Sequence, residues 1–107
     1  MKRDISKRNL IYNLLQKVPK GKAISYGELA RIGKTSARAV GMFMKTNRDI
    51  KKVPCYKVVR SDGKIGGYSG PGGVKKKMEL LKKDGIKIEI KKGTPYIRKK
   101  YIYKFNK

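Results

Sequence analysis

The length and charge of this sequence restrict what the protein can be. Its 107 residues fit one domain, and thirty Lys and Arg against seven Asp and Glu give a formal net charge of +23. So large an excess favours a polyanionic partner, nucleic acid ahead of a membrane surface, although a host-wide lysine habit would account for part of it. A single cysteine excludes an intramolecular disulfide, and the absence of histidine removes the usual zinc ligand and the usual general base.

Signals for membrane insertion or export are also missing from the sequence. No apolar stretch approaches the ~20 residues of a spanning helix, and no signal-peptide core follows Met1. We therefore expect a cytoplasmic, nucleoid-associated protein with no membrane partner. The sequence leaves open whether the 107 residues are a natural chain or a domain cut from a longer one.

The first two predicted helices belong to the amino-terminal third of the chain. Asp4 is the expected cap of the first helix, which ends at Pro19 because proline cannot continue the hydrogen-bond ladder. Ser25 and Glu28 have the S-x-x-E spacing of a capping box, which predicts a second helix that runs to about Ile32.

A third helix is predicted from about Ala37 to Thr46, with Thr35 or Ser36 as its cap. Helix, short glycine-containing turn and helix form the outline of a helix-turn-helix. One face of the third helix carries small residues around a single long cation, Arg38. The small residues are Ala37, Ala39 and Gly41. Packing against a neighbouring helix explains the small residues but leaves Arg38 unexplained.

The only cysteine lies in the run Val53-Pro54-Cys55-Tyr56-Lys57-Val58-Val59, between basic residues. This run predicts a locally buried strand or turn, since Pro54 fixes the backbone directly ahead of the sulfur. A lone cysteine in an apolar run is usually a small core hydrophobe. Nearby cations also favour the nucleophilic thiolate, so a reactive cysteine is the second interpretation.

The carboxyl-terminal half predicts turns, one helix and a hairpin. Asp62-Gly63 is a good hairpin tip, and the glycine-rich segment 65–73 is either a linker or a loop that approaches something closely. A fourth helix is expected over about 74–84, with its lysines around the solvent face. Ile86–Ile90 and Tyr101–Phe105 alternate at period two, which predicts a basic carboxyl-terminal hairpin within about 86–107.

Four ordered blocks of the sequence resemble a known family. The cysteine run resembles the P-C-H-R-V active-site signature of the O6-alkylguanine-DNA alkyltransferases. The other blocks are Ala23-Ile24-Ser25-Tyr26-Gly27-Glu28-Leu29-Ala30, Ala37-Arg38-Ala39-Val40-Gly41 and Gly66-Gly67-Tyr68-Ser69-Gly70. The match covers about residues 5–90, essentially the family's carboxyl-terminal DNA-binding and catalytic domain, without the small amino-terminal domain of many members. That shortness also resembles the alkyltransferase-like proteins, which bind alkylated DNA but have lost the cysteine.

The resemblance implies a fold, a reaction and a partner. The fold would be a single domain over 1–107, mostly α with short β-hairpins and winged helix-turn-helix-like. The reaction would move an alkyl group from the guanine oxygen to Cys55, once, irreversibly and without a cofactor or metal. The damaged nucleotide must be flipped out first, because its alkylated oxygen is not accessible to a buried thiol inside an intact duplex. The implied partner is double-stranded DNA containing O6-alkylguanine, bound by a monomer.

Substrate contacts follow from the same resemblance. Tyr26 matches the tyrosine that helps to drive flipping and contacts the base, and Met44 matches a methionine packed near the flipped base. The Val58 carbonyl matches an acceptor for the guanine amino group. Tyr68 and Ser69 match the loop that walls the pocket, where a serine backbone N–H meets the base oxygen.

DNA contacts are implied for the third helix. The recognition helix of this fold lies in the minor groove, which suits a helix with small residues on its contact face. Arg38 matches the arginine that fills the gap left in the stack when the nucleotide is flipped. The other implied contacts are Ser36, Ala37, Ala39, Gly41 and Lys45.

The catalytic positions depart from the family in part. Tyr56 stands where the family has a histidine that takes the thiol proton through a water, and neutral tyrosine, with a reference pKa near ~10, is a poor base. Asp84 lies near the position of the glutamate that backs this histidine, after a slightly longer loop. Asn47 is retained, and Lys57 replaces an arginine.

Three hypotheses remain for the activity. In the favoured one, Lys57 and the cationic surroundings stabilise the thiolate, Tyr56 only orders a water, and the cysteine is a working alkyl acceptor. In the second, transfer is slow or absent and the protein marks lesions for another repair pathway. In the third, it is a general basic nucleic-acid-binding protein whose cysteine is only part of the core.

Overall fold

The computed structural model describes residues 2–49, 51–66 and 72–105, with side chains described from residue 7 onward. The four α-helices formed by these residues are α1 (Lys2–Gln16), α2 (Tyr26–Gly33), α3 (Ala37–Lys45) and α4 (Gly73–Lys83). The strands are β1 (Ile24–Ser25), β2 (Val58–Val59), β3 (Glu89–Lys91) and β4 (Thr94–Tyr96). This mostly helical architecture with small sheets confirms the predicted fold class. Among the described helices, none has both the length and the apolar character needed to span a bilayer.

The helix starts follow the predicted caps at two of three positions. Helix α1 already begins at Lys2, so Asp4 lies inside it and the predicted cap is wrong. The Ser25 hydroxyl accepts the Glu28 N–H at 3.0 Å, and the Ser36 hydroxyl accepts the Ala39 N–H at 3.0 Å. Both serines therefore satisfy one of the unpaired N–H groups at a helix start.

The turn between α2 and α3 is tight and is packed against α1. Lys34 ends α2 in the left-handed conformation, at φ 56°, and its N–H donates to the Ala30 and Arg31 carbonyls. A Cβ placed on Gly33 would lie 2.5 Å from Cδ1 of Ile11, so glycine lets α2 pack this closely on α1 without displacing that side chain. The helix-turn-helix is thus fixed against the first helix.

The short parallel pair of β1 and β2 joins the cysteine segment to the helix-turn-helix, with Ile24 opposite Val58 and Ser25 opposite Val59. On one side a buried cluster takes its residues from α1, α2, α3 and the cysteine segment, Cys55 included. On the other side a second cluster packs Val59 with Leu81 of α4 and with Ile97. The cysteine segment therefore runs through the middle of the molecule.

The carboxyl-terminal hairpin is shorter than its predicted form. Lys92 and Gly93 both have positive φ, 50° and 79°, which allows a two-residue turn between β3 and β4. The predicted pairing with Tyr101–Phe105 is therefore wrong, because β3 meets the strand that directly follows the turn. The later segment pairs with Ala23, whose N–H donates to the Tyr101 carbonyl and whose carbonyl accepts the Tyr103 N–H, both at 2.7 Å.

Candidate DNA-binding groove and cysteine site

Cys55 opens a single 3-10 turn, Cys55–Lys57, that is locked from both sides. Pro54, at φ −78° and ψ 72°, has the conformation of an inverse γ-turn, and the Cys55 N–H donates to the Val53 carbonyl at 2.8 Å. The Cys55 carbonyl in turn accepts the Val58 N–H. The residue is only 6% exposed, among apolar neighbours that include Met44. Burial alone fits both a core thiol and a thiol at the bottom of a binding site.

Asn47 supports the approach to the cysteine. Its side-chain amide donates to the Val53 carbonyl at 2.9 Å, and its side-chain oxygen accepts the Asp49 N–H at 3.0 Å. These two bonds shape the connector that leads into Pro54. Asn47 therefore acts on the backbone before Cys55, and its assignment as a catalytic residue stays a prediction.

Lys57 and Asp84 form a buried ion pair. Their charged atoms are 3.1 Å apart, and the two side chains are 7% and 11% exposed. The Lys57 ammonium also donates to the Pro19 carbonyl at 3.0 Å, and the same Asp84 oxygen accepts the Gly21 N–H at 3.0 Å. Each charge is thus compensated by the other, so Lys57 is not a free cation beside the thiol. The role of Asp84 in a proton relay stays a prediction.

Lys77 is the residue that sequence reasoning missed. It was expected on the solvent face of α4, yet it is 0% exposed. Its ammonium donates to the Val58 and Ile65 carbonyls, each at 2.7 Å. Burial lowers the pKa of Lys77 from 10.5 to about 8, and the charge of a Cys55 thiolate acts in the opposite direction. Lys77 is therefore a buried cation within electrostatic reach of the sulfur.

A groove lies between the start of α2, the outer face of α3 and the turn after β2. Its lining residues are Tyr26, Gly27, Ala37, Arg38, Gly41, Arg60, Ser61 and Asp62. Burial raises the pKa of Tyr26, the nearby Cys55 raises it further, and Arg60 opposes both. Tyr26 also packs against the buried cluster that contains Cys55, so it lies between the groove and the residues around the sulfur.

The outer face of α3 is accessible along its length. Ser36, Ala37, Arg38 and Lys45 are exposed, and Ala39 and Gly41 are half-buried. A Cβ added at Gly41 would meet no atom of the described residues within 4 Å. Packing inside the described part of the protein does not require this glycine. A glycine of this kind suits a surface that approaches the helix from outside.

Of the remaining predicted site residues, three belong to the part of the chain that the structure describes and two do not. Met44 is buried in the same apolar cluster as Cys55, and the Val58 carbonyl already accepts the Lys77 ammonium. Tyr56 is half-buried and packs against the second cluster. Tyr68 and Ser69 lie outside the described residues.

Fold and site together define a helix-turn-helix-like DNA-binding domain with a buried cysteine, Cys55, in the cluster against which Tyr26 of the groove packs. The family model described as "6-O-methylguanine DNA methyltransferase, DNA binding domain" matches residues 6–86. The chain therefore belongs to this family.

Two further similarities extend over most of the chain. A bifunctional methyltransferase/endonuclease of Picrophilus torridus is 41% identical over 98 residues, which cover 90% of this chain and 30% of the relative. Atl1 of S. pombe, solved with damaged DNA containing O6-carboxymethylguanine, superposes with a TM-score of 0.82 at 27% identity and covers 94% of this chain and 96% of its own.

A third similarity is limited to the family domain. The O6-methylguanine-DNA methyltransferase of Pyrococcus kodakaraensis superposes with a TM-score of 0.65 at 42% identity, covering 74% of this chain and 46% of its own. The chain spans 25% to 50% of the length of the first curated relatives that it matches.

Proposed function

We propose that this protein repairs O6-alkylguanine in double-stranded DNA by accepting the alkyl group on Cys55. The observation that carries the proposal is the position of Cys55 in the buried cluster against which Tyr26, a residue that lines the groove, packs. A cysteine that served only the core would not need a buried cation nearby. The protein acts as a cytoplasmic monomer on duplex DNA.

The transfer is a single displacement at the alkyl carbon. The Cys55 thiol loses its proton, and the thiolate sulfur forms a bond to the alkyl carbon while the bond from that carbon to the guanine oxygen breaks. The electron pair of the broken bond stays on guanine, which takes up one proton. The products are an S-alkylcysteine and an unmodified guanine, with no oxidant, reductant or cofactor consumed. Each protein molecule therefore reacts once.

Lys77 supplies the positive charge that this chemistry needs in the absence of the family histidine. An ammonium group in a site closed to water attracts a thiolate more strongly than an exposed one does, because it is less screened. Two hydrogen bonds to backbone carbonyls hold Lys77 in place on α4. Lys57, the cation that sequence reasoning favoured for this role, is neutralised by Asp84.

Helix α3 enters the minor groove, and Arg38 occupies the space vacated by the flipped nucleotide. The narrow minor groove admits a helix only where its side chains are small, which fits Ala37, Ala39 and Gly41 on the exposed face. Tyr26 lies at the edge of the same groove and contacts the extruded base. Unstacking a nucleotide costs a few kcal/mol, and less for a weakened base pair.

Intact-mass spectrometry tests the acceptor directly. The protein is incubated with a duplex that carries O6-methylguanine, and the expected result is one added methyl group per chain. The same adduct on Cys55→Ser would move the chemistry to another residue. No adduct on the wild type after long incubation, with binding to the lesion retained, would contradict the acceptor and leave a lesion-binding protein.

Lesion sensing without transfer is the second candidate function. Two observations favour it: Tyr56 in place of a histidine, and a structural match to Atl1 that extends over almost the whole of both chains. A sensor would bind the lesion duplex more tightly than an unmodified duplex but leave the methyl group on the DNA. The mass experiment and a binding titration on the same two duplexes separate the two candidates.

A further inference from the structure

The β3–β4 hairpin follows the family domain, whose match ends at residue 86. From residue 87 to residue 105 the sequence holds seven Lys or Arg and one acid. That acid, Glu89, is paired with Arg98 and accepts a hydrogen bond from the Tyr96 hydroxyl. The exposed lysines of the hairpin therefore keep their full positive field.

The hairpin has a fixed position, because it is attached to the turn that follows β2. The Ile97 N–H donates to the Gly63 carbonyl at 2.9 Å, and Lys64 forms an antiparallel bridge with Tyr96. A Cβ on Gly63, which has φ +91°, would lie 2.5 Å from the Ile97 carbonyl oxygen. Only glycine allows this approach, so hairpin and turn move as one unit.

The same turn joins the hairpin to the DNA-binding groove. Asp62 lines the groove together with Arg38, and it also borders a second concave surface. The other residues of that surface are Lys64, Lys91, Lys92, Thr94 and Tyr96. The backbone N–H of Lys64 donates a hydrogen bond to the Asp62 carboxylate, and the Lys64 ammonium lies 3.8 Å from it. Both contacts, the hydrogen bond most of all, hold the pKa of the Asp62 carboxyl below its usual range. The groove thus continues into a surface with three lysines and one acid, Asp62, so the net charge of this surface is positive.

The side chains of the two lysines at the hairpin turn, Lys91 and Lys92, are exposed. In the part of the chain that the structure describes, no carboxylate lies within 4 Å of the ammonium of Lys91 or Lys92. Lys92 has a left-handed backbone, where two-residue turns favour asparagine or glycine. Lysine at this position places a cation at the tip of the hairpin.

We propose that Lys64, Lys91 and Lys92 form a second DNA contact, which binds the phosphates of the duplex beside the segment held by α3. This inference rests on the proposed function in requiring duplex DNA in the groove. Lysine is a compact point charge, so the contact adds affinity and positions the duplex without reading its sequence. The hairpin therefore enlarges the length of DNA that the protein covers.

The test compares two variants with the same loss of charge. The hairpin variant is Lys64→Gln/Lys91→Gln/Lys92→Gln. The control is Lys17→Gln/Lys20→Gln/Lys83→Gln, three exposed lysines around the end of α1 and the end of α4, which the hydrogen bond from Gly21 to Asp84 brings together. Affinity for an unmodified duplex is measured at several salt concentrations by fluorescence anisotropy. Each lost phosphate contact lowers the slope of log K against log salt by about 0.9.

We expect the hairpin variant to lose a slope of about 2 to 3, and the control to retain a slope close to that of the wild type. Equal losses in the two variants would mean that only overall charge matters, which overturns the inference. The hairpin variant could bind like the wild type while the wild type binds the duplex and Arg38→Ala weakens lesion binding. In that case only the proposed hairpin contact is wrong. If the wild type fails to bind duplex DNA at all, the proposed function falls as well.

Discussion

Lys77→Met tests whether a charged lysine is held inside the protein. The pKa of Lys77 is about 8 in the folded protein against 10.5 ordinarily, so between these values the unfolded chain binds more protons than the folded one. The unfolding free energy of the wild type must therefore rise with pH across this window, by about 3 kcal/mol in total. Below about pH 8 both states are protonated and the full penalty of burying the charge is present. Methionine fills the same space without a charge and removes this rise.

Urea unfolding between about pH 7 and pH 10.5 measures the effect, with Lys75→Met, an exposed position on the same helix, as the matched control. Lys77→Met also leaves the Val58 and Ile65 carbonyls without this donor, at about 1 to 3 kcal/mol each, so it lowers stability at every pH. The dependence on pH is therefore the diagnostic quantity. The same pH slope in wild type and Lys77→Met would refute the reasoning, whatever the absolute loss.

Thiol alkylation by iodoacetamide provides a second readout of the same variant. If the Lys77 charge supports the Cys55 thiolate, the pH profile of the alkylation rate moves to higher pH in Lys77→Met and stays in place in Lys75→Met. Unfolded protein sets the upper limit of reactivity and is measured in parallel. An unchanged pH profile would mean that Lys77 only donates hydrogen bonds to two backbone carbonyls and does not stabilise the thiolate.

Four further outcomes follow from other contacts. Asp84→Asn leaves the Lys57 charge buried without its partner and should lower the free energy of unfolding in urea by about 3 to 5 kcal/mol. The double variant Lys57→Met/Asp84→Leu removes both charges and should lower it less. A larger loss in the double variant would contradict the ion pair as the cause. Arg38→Ala should weaken binding to the lesion duplex by about 1 to 3 kcal/mol with little change in salt dependence, and an equal loss on unmodified duplex would make Arg38 a phosphate contact only. Tyr56→His should raise the methyl-transfer rate near neutral pH in a single-turnover assay, and an unchanged rate would show that proton removal is not limiting. Hydrogen bonds from Arg31, aided by the Phe105 N–H, hold the pKa of Glu28 below 4.5, so its stabilisation is present above 4.5 and is lost as the pH falls through the lowered pKa. The Tm of Glu28→Gln should therefore be below that of the wild type at pH 7, and the difference should shrink as the pH falls below 4.5.

Local sequence signals were sufficient where a structural feature is itself local. The caps Ser25 and Ser36 each act on an N–H three residues away, so spacing alone predicts them. The hairpin partner was mispredicted because period-two alternation identifies a strand but not the strand it pairs with. The positive φ of Lys92 and Gly93 allows the tight turn that determines the pairing. Of these two residues, only glycine is typical of a positive φ, so the sequence indicates this conformation at one of the two positions.

The electrostatics of the site depended on contacts between distant segments, which no local pattern encodes. Lys57 is the cation nearest to Cys55 in the sequence, but in the folded protein its charge is neutralised by Asp84, which lies far along the chain. Lys77 had one available signal: it lies four residues before the buried Leu81, on the same face of α4. Its four lysine neighbours along the helix made a solvated face the more natural interpretation. The sequence around Cys55 identified it as a candidate site residue, but it did not reveal which charged groups lie near it in the folded protein.

The late pairing of the chain around Ala23 bears on how the protein is made. Glu28, near the start of α2, accepts the backbone N–H of Phe105 at 2.9 Å, and Ala23 is bonded on both sides by the segment around Tyr103. Contacts of such long sequence separation form last and slow the folding reaction. During synthesis the helix-turn-helix therefore emerges from the ribosome long before the segment that pairs with Ala23 does. Until residue 105 has left the exit tunnel, the nascent chain carries a strongly basic surface on an incompletely closed core, beside the most abundant polyanion in the cell, ribosomal RNA.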